Sequence, residues 1–538
     1  MSKSVIAKRT LSDVLEEIRT VYLDDDRPWI IGFSGGKDST CMVQLVWTAL
    51  SKLPAEKLTK KIYVISSDTL VEAPQIADRI TRNLANMEKY AEKIKLPLGT
   101  NLLTPPISNT FWVRLLGLGY PAPTNWFRWC TDMLKISNAD DFIKNTASKY
   151  GEVIVLLGMR KNESRARGQV MELYKIKDSI LSRHSKFEQT FVYTPIGDFS
   201  AEDVWNYLLE NENPWGEENR NLLAMYQDAN ASECPLVIDT SSASCGGGRF
   251  GCWTCTVVDN QSYLSNLIDN DKKNDWMEVL AELREELKKT QPNFRYFCKT
   301  CKTELYYKKE QKHYFCKCDH NSYKTLDNAK DDKKNIDVID NWNDVRERVR
   351  RNGRVDLKTN ANDGSYTPGP YRMKFRKEFL EKLLRGQMKI KTEYENAPDI
   401  ELILEDEIHE IQRIWRLEQS DWTDSAYEIY RRVTGKNLKT KNEFGSLEKT
   451  EQDFLKKACS SHNTPFKLVG NLLSLEILAQ GANRHSKIHN KISSELKKEW
   501  RDVDDPNLFK KILRSKKDFK EKMTSYPSKS NVKTGDKS

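Results

Sequence analysis

A glycine-rich turn, SGGKDST at residues 34–40, limits the folds open to this sequence more than any other segment does. Residues 28–33 before it predict a buried strand, and the apolar spacing of residues 41–53 after it predicts a helix. Glycines let backbone N–H groups approach an anion, and a helix N-terminus adds partial positive charge. The turn therefore predicts a phosphate-binding site formed by Ser34, Gly35, Gly36, Lys37, Asp38, Ser39 and Thr40.

The spacing of this turn differs from the Walker loop, which has four residues between Gly and Gly-Lys. SGGKDS instead resembles the PP-loop of ATP pyrophosphatases, which split ATP between the α and β phosphates. The resemblance implies an α/β fold in which a parallel sheet of the adenine nucleotide α-hydrolase type carries flanking helices. It also implies ATP and Mg²⁺ as ligands, with Lys37 and the Gly35–Gly36 backbone stabilising the pyrophosphate that leaves.

Two further apolar strands end in polar residues. Residues 61–67 lead to Asp68, Thr69 and Glu72. Because ligands bind at the carboxyl ends of parallel strands, these three are candidates for nucleotide or metal contacts, the alternative being ordinary solvation and helix capping. Residues 153–157 lead into GMRKNESRAR, which resembles a segment of the PAPS-reductase branch of the PP-loop family. Its arginines are candidates for phosphate contacts, with Arg160 and Arg167 assigned to the nucleotide and Arg160 joining Lys37 and Asp38 as catalytic.

Four cysteines are expected to form one site. Cys130 lies in RWCTDMLKI, and Cys245, Cys252 and Cys255 lie in CGGGRFGCWTC. Close thiolates separated by glycines can wrap a compact cluster whose sulfurs accept hydrogen bonds from backbone N–H groups. We interpret the set as a [4Fe–4S] site. Zinc is the competing interpretation because four thiolates also suit it, and unligated thiols are the third.

A second cysteine set consists of Cys298, Cys301, Cys316 and Cys318, on either side of residues that could form a hairpin. Two such pairs give a zinc ribbon its tetrahedral thiolate coordination. Because C-x-C is less usual than C-x2-C, His313 or His320 is an alternative ligand, and unligated surface thiols are the remaining interpretation. The single cysteines are expected to be small buried side chains, with Cys234 the best spare candidate for carrying sulfur.

The order of motifs along the chain extends the resemblance. YLDDDRPWIIGFSGGKDST, GMRKNESRAR, CGGGRFGCWTC and DGSYTPGPY (residues 363–371) occur in the order seen in the DndC family, the PP-loop sulfurtransferases of bacterial DNA phosphorothioate modification, to which SspD-type proteins are related. The resemblance implies that DNA phosphate is adenylylated with release of pyrophosphate and that sulfur then replaces a non-bridging oxygen. It implies as partners DNA, a cysteine desulfurase as sulfur donor, and DndD- and DndE-type proteins.

Composition narrows the class of protein. The 538 residues carry a net charge of +9, which suits either a solvated surface or an anionic partner such as nucleic acid. No apolar stretch approaches the ~18–20 residues of a membrane span, and the first 20 residues lack the apolar core of a signal peptide, so we expect a cytoplasmic protein without membrane contact. Eleven cysteines in a reducing compartment favour metal binding over disulfides.

Four domains are predicted. Residues 1–235 are assigned to the PP-loop domain, 236–330 to the cluster loop and ribbon-like insert, 331–505 to a mainly helical domain and 506–538 to a basic disordered tail. Three other functions compete with DNA phosphorothioation. A PAPS or APS reductase would need a mobile C-terminal cysteine, whereas the last cysteine here is Cys459. A tRNA-thiolating PP-loop enzyme and a non-catalytic Fe–S subunit that binds DNA are the other two.

Overall fold

The computed structural model describes most of the chain. The described ranges are 5–6, 9–124, 127–163, 165–229, 251–257, 262–291, 294–303, 305–308, 313–316, 318, 322–323, 332, 335–340, 350–352, 368–419, 421, 423–438, 449–462, 464–479 and 486–496. They divide into two compact units. Unit 1 falls within Met1–Arg114, Ala122–Lys288 and Glu381–Glu410, and unit 2 within Leu115–Pro121, Lys289–Leu380 and Ile411–Ser538.

Unit 1 is an α/β structure. Its strands are β1 (Val5–Ile6), β2 (Arg9–Thr10), β3 (Trp29–Gly32), β4 (Ile62–Ser67), β5 (Leu98–Leu103), β6 (Val153–Leu156), β7 (Ser182–Arg183) and β8 (Thr190–Tyr193). Its helices before residue 289 are α1 (Leu11–Leu23), α2 (Lys37–Leu50), α3 (Pro74–Lys93), α4 (Trp129–Thr131), α5 (Ser137–Tyr150), α6 (Arg165–Leu173), α7 (Ala201–Glu210), α8 (Asn219–Ala229), α9 (Ser262–Asn270) and α10 (Glu278–Lys288).

Six of these strands form one sheet in the order β5-β4-β3-β6-β8-β7. All neighbours are parallel except β7, which pairs antiparallel with β8. The chain builds the sheet to one side of β3 with β4 and β5, and then to the other side with β6 and β8. The strand order therefore reverses at β3 and β6, and ligands bind beyond the carboxyl ends of the strands at such a point.

Both faces of the sheet are buried because residues along each strand alternate between the two faces. On β3, Trp29 and Ile31 belong to a large core formed with α1, α2, α3, α7 and α8. The residue between them, Ile30, belongs to a second core that includes Ile143 and Ala147 of α5. Since β3 is covered on both faces, it has a continuous apolar sequence, and the sheet holds the ends of β3, β4 and β6 in fixed positions.

Unit 2 combines small antiparallel sheets with helices. Its strands are β9 (Phe294–Cys298), β10 (Tyr306–Lys308), β11 (His313–Phe315), β12 (Ser322–Tyr323), β13 (Ile336–Asp340), β14 (Arg350–Asn352) and β15 (Pro368–Tyr371). The later helices are α11 (Met373–Glu393), α12 (Glu405–Gln419), α13 (Ser425–Thr434), α14 (Lys449–Ser461), α15 (Phe466–Ala479) and α16 (Ser486–Leu496), of which α11 and α12 contribute residues to both units.

The predicted fold class is confirmed: a mainly parallel six-stranded sheet with flanking helices precedes a cysteine cluster and a helical C-terminal region. A capping box begins α7, in which the side chain of Ser200 accepts from the N–H of Asp203 and the side chain of Asp203 accepts from the N–H of Ser200. None of the described helices has the length and apolar character needed to cross a bilayer. The four domain boundaries stay predictions.

Candidate functional site

The glycine-rich turn connects the carboxyl end of β3 to the first turn of α2. Gly35 has a φ of +71°, a conformation that a side chain would strain. Gly36 is the N-cap of α2 and supplies no capping side chain. The first N–H groups of α2 therefore receive no side-chain hydrogen bond from the N-cap residue. The turn has the form of an anion-binding helix N-terminus.

The hydroxyl groups of the turn differ in their hydrogen bonding. The hydroxyl of Ser39 accepts a hydrogen bond from the N–H of Ser34 at 3.2 Å and donates to the carbonyl of Gly36 at 3.0 Å. Thr40 is fully buried, and its hydroxyl has no hydrogen-bond partner in the described structure. Because a buried unpaired hydroxyl is costly, Thr40 is the kind of donor that a phosphate oxygen would satisfy.

Asp38 lies between two cations. Lys37 Nζ is 3.1 Å from one of its carboxylate oxygens, and Arg160 Nε donates to the other at 2.6 Å. Arg160 follows β6 and is 5% exposed, so this ion pair joins the two sides of the point where the strand order reverses. Gly158, also after β6, lets the chains approach, because a Cβ there would stand 3.0 Å from the backbone of Asp38.

A buried arginine, Arg79, forms a hydrogen bond with the glycine-rich turn. Arg79 of α3 donates to the carbonyl of Gly35 at 2.5 Å and forms two hydrogen bonds with the carboxylate of Glu217, at 2.8 and 2.9 Å. Its side chain is 7% exposed. Tyr226 of α8 contacts the other side of the turn, since its hydroxyl accepts from the N–H of Lys37 at 3.2 Å. The aromatic ring of Tyr226 lies 5.4 Å from Lys37 Nζ.

The end of β4 carries a second polar network. The hydroxyl of Thr69 donates to Glu72 at 3.1 Å, and Glu72 pairs with Lys135 Nζ at 2.8 Å. Leu70 has a φ of +62°, and its N–H donates to Asp68 at 2.8 Å. A non-glycine residue in this conformation is strained, which is common at functional sites. The strained turn places Asp68, Thr69 and Glu72 together beside the neighbouring end of β3.

The cysteine loop lies directly against this network. Glu72 and Cys252 form an antiparallel bridge, and the N–H of Trp253 donates to the carbonyl of Val71 at 3.0 Å. The Thr69 hydroxyl lies 3.4 Å from Cys252 Sγ. The structure therefore brings the predicted nucleotide-contacting residues of β4 into contact with a predicted cluster ligand, although 183 residues separate them.

Charge and burial set the protonation of these groups. Burial raises the pKa of Cys252, and the nearby Glu72 carboxylate adds to the effect. Burial likewise raises the pKa of Cys130, with a smaller contribution from Cys255. Burial alone would lower the pKa of Lys135, but its interactions with Cys252 and Glu72 outweigh burial and raise the pKa. Burial favours the neutral form of the two thiols, and a bound metal would reverse that preference. The Lys135 cation would then stabilise the thiolates.

The described members of the predicted cluster set are Cys130, Cys252 and Cys255, and their electrostatic interactions place them in one neighbourhood. Cys245 lies outside the described residues, as does the spare candidate Cys234. The side chain of Arg167, in α6, is likewise not described. The assignment of four cluster ligands and of Arg167 as a phosphate ligand therefore stays a prediction.

Three residues at this site were missed by sequence reasoning. Lys135 lies in RWCTDMLKI five residues after Cys130, inside the π-helical segment Asp132–Ile136. Such segments are frequent at functional sites, and a lysine beside a candidate thiolate was the available signal. Arg79 and Tyr226 reach the turn from helices 44 and 189 residues along the chain, and neither carries a motif.

The second predicted cysteine set is brought together in unit 2. The sulfurs of Cys298, Cys301, Cys316 and Cys318 all lie within 4.8 Å of one another. Strands β10 and β11 pair antiparallel as the expected hairpin requires, with Tyr306 opposite Phe315. Four thiols complete a tetrahedral set, so a histidine ligand is not required. His320 is outside the described residues.

Comparison with known proteins identifies the first part of the chain. Residues 28–257 match the family model of the phosphoadenosine phosphosulfate (PAPS) reductase domain. This part of the chain is therefore similar to the PAPS reductase domain. The match covers less than half of the chain and includes the glycine-rich turn, the end of β4, and Cys130, Cys252 and Cys255.

Individual relatives are more distant. An uncharacterized protein of Methanocaldococcus jannaschii is 27% identical over 201 residues, which are 37% of this chain and 35% of the relative. The chain thus spans about a third of that curated relative. A PAPS reductase from Candida auris is 15% identical, with 40% of this chain and 89% of that one covered and a TM-score of 0.25. A U34-tRNA thiolase from Methanococcus maripaludis, solved with its [4Fe–4S] cluster, is 12% identical over 54% of this chain and 85% of that one, with a TM-score of 0.27. TM-scores this low carry no argument about function.

Proposed function

We propose that this chain is an ATP-dependent sulfurtransferase that activates a DNA phosphate by adenylylation and replaces a non-bridging oxygen with sulfur. The observation that carries the proposal is the contact of Thr69 and Glu72 with Cys252 at the end of β4. This contact places a thiol beside the strand end next to a phosphate-binding turn, as sulfur transfer to an ATP-activated group requires. The sequence resemblance to the DndC family supports DNA as the acceptor.

The residues of the turn fit the triphosphate of ATP. The N–H groups at the start of α2, the Lys37 ammonium and the unpaired Thr40 hydroxyl would bind the β and γ phosphates. As a DNA phosphate oxygen attacks the α phosphorus, the bond to the β phosphate breaks and negative charge grows on the pyrophosphate. Lys37 and the backbone donors stabilise that charge. A thiol such as cysteine cleaves the S–S bond of the desulfurase persulfide and releases hydrosulfide. The hydrosulfide attacks the adenylylated DNA phosphorus, the P–S bond forms as the P–O bond to AMP breaks, and AMP leaves.

The two acidic residues after β4, Asp68 and Glu72, are not equally suited to bind Mg²⁺. Glu72 is already paired with Lys135, whereas Asp68 has no ion pair in the described structure. Burial raises the pKa of Asp68 even though the N–H of Leu70 opposes the shift. A divalent cation would oppose this shift and favour the carboxylate. Asp68 is therefore the carboxylate that we assign to Mg²⁺.

The buried thiols fit a thiolate-bound cluster. Cys130, Cys252 and Cys255 are three sulfur donors in one neighbourhood, and Lys135 supplies a compensating positive charge. When bound, a [4Fe–4S] cluster supplies a redox-active iron–sulfur centre next to the nucleotide.

The assimilatory reductase is the nearest alternative because the family model carries its name. Such a reductase uses a mobile catalytic cysteine near its C-terminus. The last cysteine of this chain, Cys459, does not fit that role because it is 6% exposed inside α14. A residue packed in this way suits a core role rather than transfer of electrons to a bound substrate. We therefore rank sulfur transfer above sulfate reduction for this site.

The test uses anaerobically purified full-length protein with ATP, duplex DNA, cysteine and a cysteine desulfurase. We expect AMP and pyrophosphate as products, and phosphorothioate-linked dinucleotides in the nuclease-digested DNA by mass spectrometry. Lys37→Ala should abolish both products while leaving the iron content unchanged. Lys89→Ala, which changes an exposed lysine of α3, is the matched control and should keep full activity.

Three results would contradict the proposal. ADP and orthophosphate as products would overturn the assignment of the turn as a PP-loop. Sulfite production from PAPS without DNA would establish a reductase. Labelled sulfur in tRNA but not in DNA would establish a tRNA thiolase.

A further inference from the structure

We propose that Cys298, Cys301, Cys316 and Cys318 bind one structural zinc ion, chemically separate from the site in unit 1. The proposal does not rest on the proposed function, because all four residues lie in unit 2 and none contributes to the phosphate-binding turn. Their sulfurs lie within 4.8 Å of one another. Four thiolates about 2.3 Å from one tetrahedral ion stand about 3.8 Å apart, which is the same scale.

The first pair lies on a turn shaped to present two sulfurs to one ion. Cys298 is the last residue of β9, and its carbonyl accepts from the N–H of Lys302 at 2.8 Å. The N–H of Cys298 in turn donates to the carbonyl of Thr303 at 3.0 Å. Lys302 has a φ of +56°, so the chain reverses tightly after Cys301. Backbone hydrogen bonds thus hold the C-x2-C segment in a closed turn.

The second pair follows the hairpin strand β11 directly. Cys318 Sγ is 3.0 Å from Cys316 Sγ and 3.6 Å from Cys298 Sγ, so the sulfurs of the two pairs converge. Cys298 and Cys316 are fully buried, whereas Cys301 and Cys318 are partly exposed. A convergent set of this kind leaves space for a single ion and excludes a four-iron cluster.

The described core around the cysteines is small. Among the residues that the structure describes, its six buried members are Tyr296, Cys298, Leu305, Cys316, Tyr323 and Ile336. Two of the six are the cysteines themselves, and the strands around them form sheets of only two and three strands. Small sheets with so little apolar area usually require a metal or a disulfide. A metal bound by all four sulfurs joins both sheets at their centre.

Nearby charge also suits a bound ion. One zinc ion with four thiolates carries two negative charges. Lys299 and Lys302 flank Cys301, and both ammonium groups are 3.7 Å from Asp337. Two lysines paired with one carboxylate leave one net positive charge beside the turn, which would offset part of the charge of the site.

The experiment measures zinc and iron per chain in anaerobically purified full-length protein. We expect one zinc in the wild type. The double variant Cys301→Ser/Cys316→Ser should lose zinc and keep its iron. Cys252→Ser should lose iron and keep zinc, and the matched control Cys459→Ser should keep both. A wild-type protein without zinc, or zinc that disappears with Cys252→Ser and persists in the double variant, would overturn the proposal.

A second measurement avoids dependence on the folding of the variants. In wild-type protein, exchange of zinc for cobalt should produce the visible absorption bands of tetrahedral cobalt with thiolate ligands, and displacement of zinc by a mercurial should consume four thiols per zinc. Octahedral cobalt spectra, or fewer than three thiols per zinc, would refute coordination by this set. A mononuclear iron spectrum with no zinc would assign the site to iron instead.

Discussion

Removing Glu217 tests whether the buried Arg79 holds the phosphate-binding turn. The side chains of Arg79 and Glu217 are 7% and 16% exposed, and two hydrogen bonds join them. Glu217→Leu leaves the guanidinium buried without its counter-charge, which costs about 3–5 kcal/mol for a fully buried pair. Because Glu217 keeps some contact with water, we expect about 3 kcal/mol, or roughly 6–12 °C in Tm for a domain of this size. Thermal unfolding followed by circular dichroism measures the change.

The double variant Arg79→Met/Glu217→Leu separates the stability of the pair from its effect on the turn. Apolar replacement of both partners of a buried ion pair is often neutral, so we expect most of the lost stability to return. The carbonyl of Gly35 still loses its donor, and ATP turnover should remain low. A single variant that loses less than about 1 kcal/mol, or a double variant with wild-type turnover, would refute this account.

Three further changes probe other contacts of the site. Gly158→Ala puts a Cβ 3.0 Å from the backbone of Asp38, and we expect a loss of about 1–3 kcal/mol in urea unfolding together with reduced ATP turnover; unchanged values would contradict the close approach. Asp68→Asn removes a carboxyl whose pKa is raised by burial. Because the folded state binds the Asp68 proton more tightly than the unfolded chain does, the ionised carboxylate lowers the stability of the folded state above that pKa. The variant should therefore have a higher Tm than the wild type at pH 8, and this difference should disappear as the pH falls below the ordinary pKa range of a carboxyl group. A lower Tm than the wild type at pH 8 would contradict this prediction. Tyr226→Phe frees the N–H of Lys37 from the phenol hydroxyl, so the KM for ATP should fall by roughly two- to tenfold in a steady-state pyrophosphate assay, while a higher KM would assign the hydroxyl to substrate binding.

The parts of the site that could be predicted are those that local sequence determines. The strand at Trp29–Gly32, the glycine turn and the helix that comes after it occupy consecutive residues, so hydrophobic pattern and turn chemistry identified them together. The Cys298 and Cys316 pairs were likewise recognisable because ligand spacing is a local property. In both cases the physics that shapes the segment acts within about 20 residues.

Other contacts depend on how distant segments pack, and no local pattern records them. The contact of Thr69 with Cys252 arises because the loops after β4 and before α9 meet, and the pairing of Glu72 with Lys135 arises because the segment Asp132–Ile136 reaches the same loop after β4. Arg79 resembled any charged residue on an amphipathic helix until the structure placed it against Gly35. Sequence reasoning found residues with distinctive chemistry and missed those whose role comes from position.

Residues 381–410 return to unit 1 after the chain has passed through unit 2, and this has a consequence for biosynthesis. Trp112 Nε1 donates to the carbonyl of Leu402 at 2.6 Å, and Gly386 lies where a Cβ would stand 3.0 Å from Val279. A ribosome adds ~5–20 residues per second, so the apolar surface of α10 waits on the order of ten seconds for its partner helix. A nascent chain that stops near residue 288 would expose that surface, and chaperone binding at this stage is the expected cellular counterpart of the discontinuous unit.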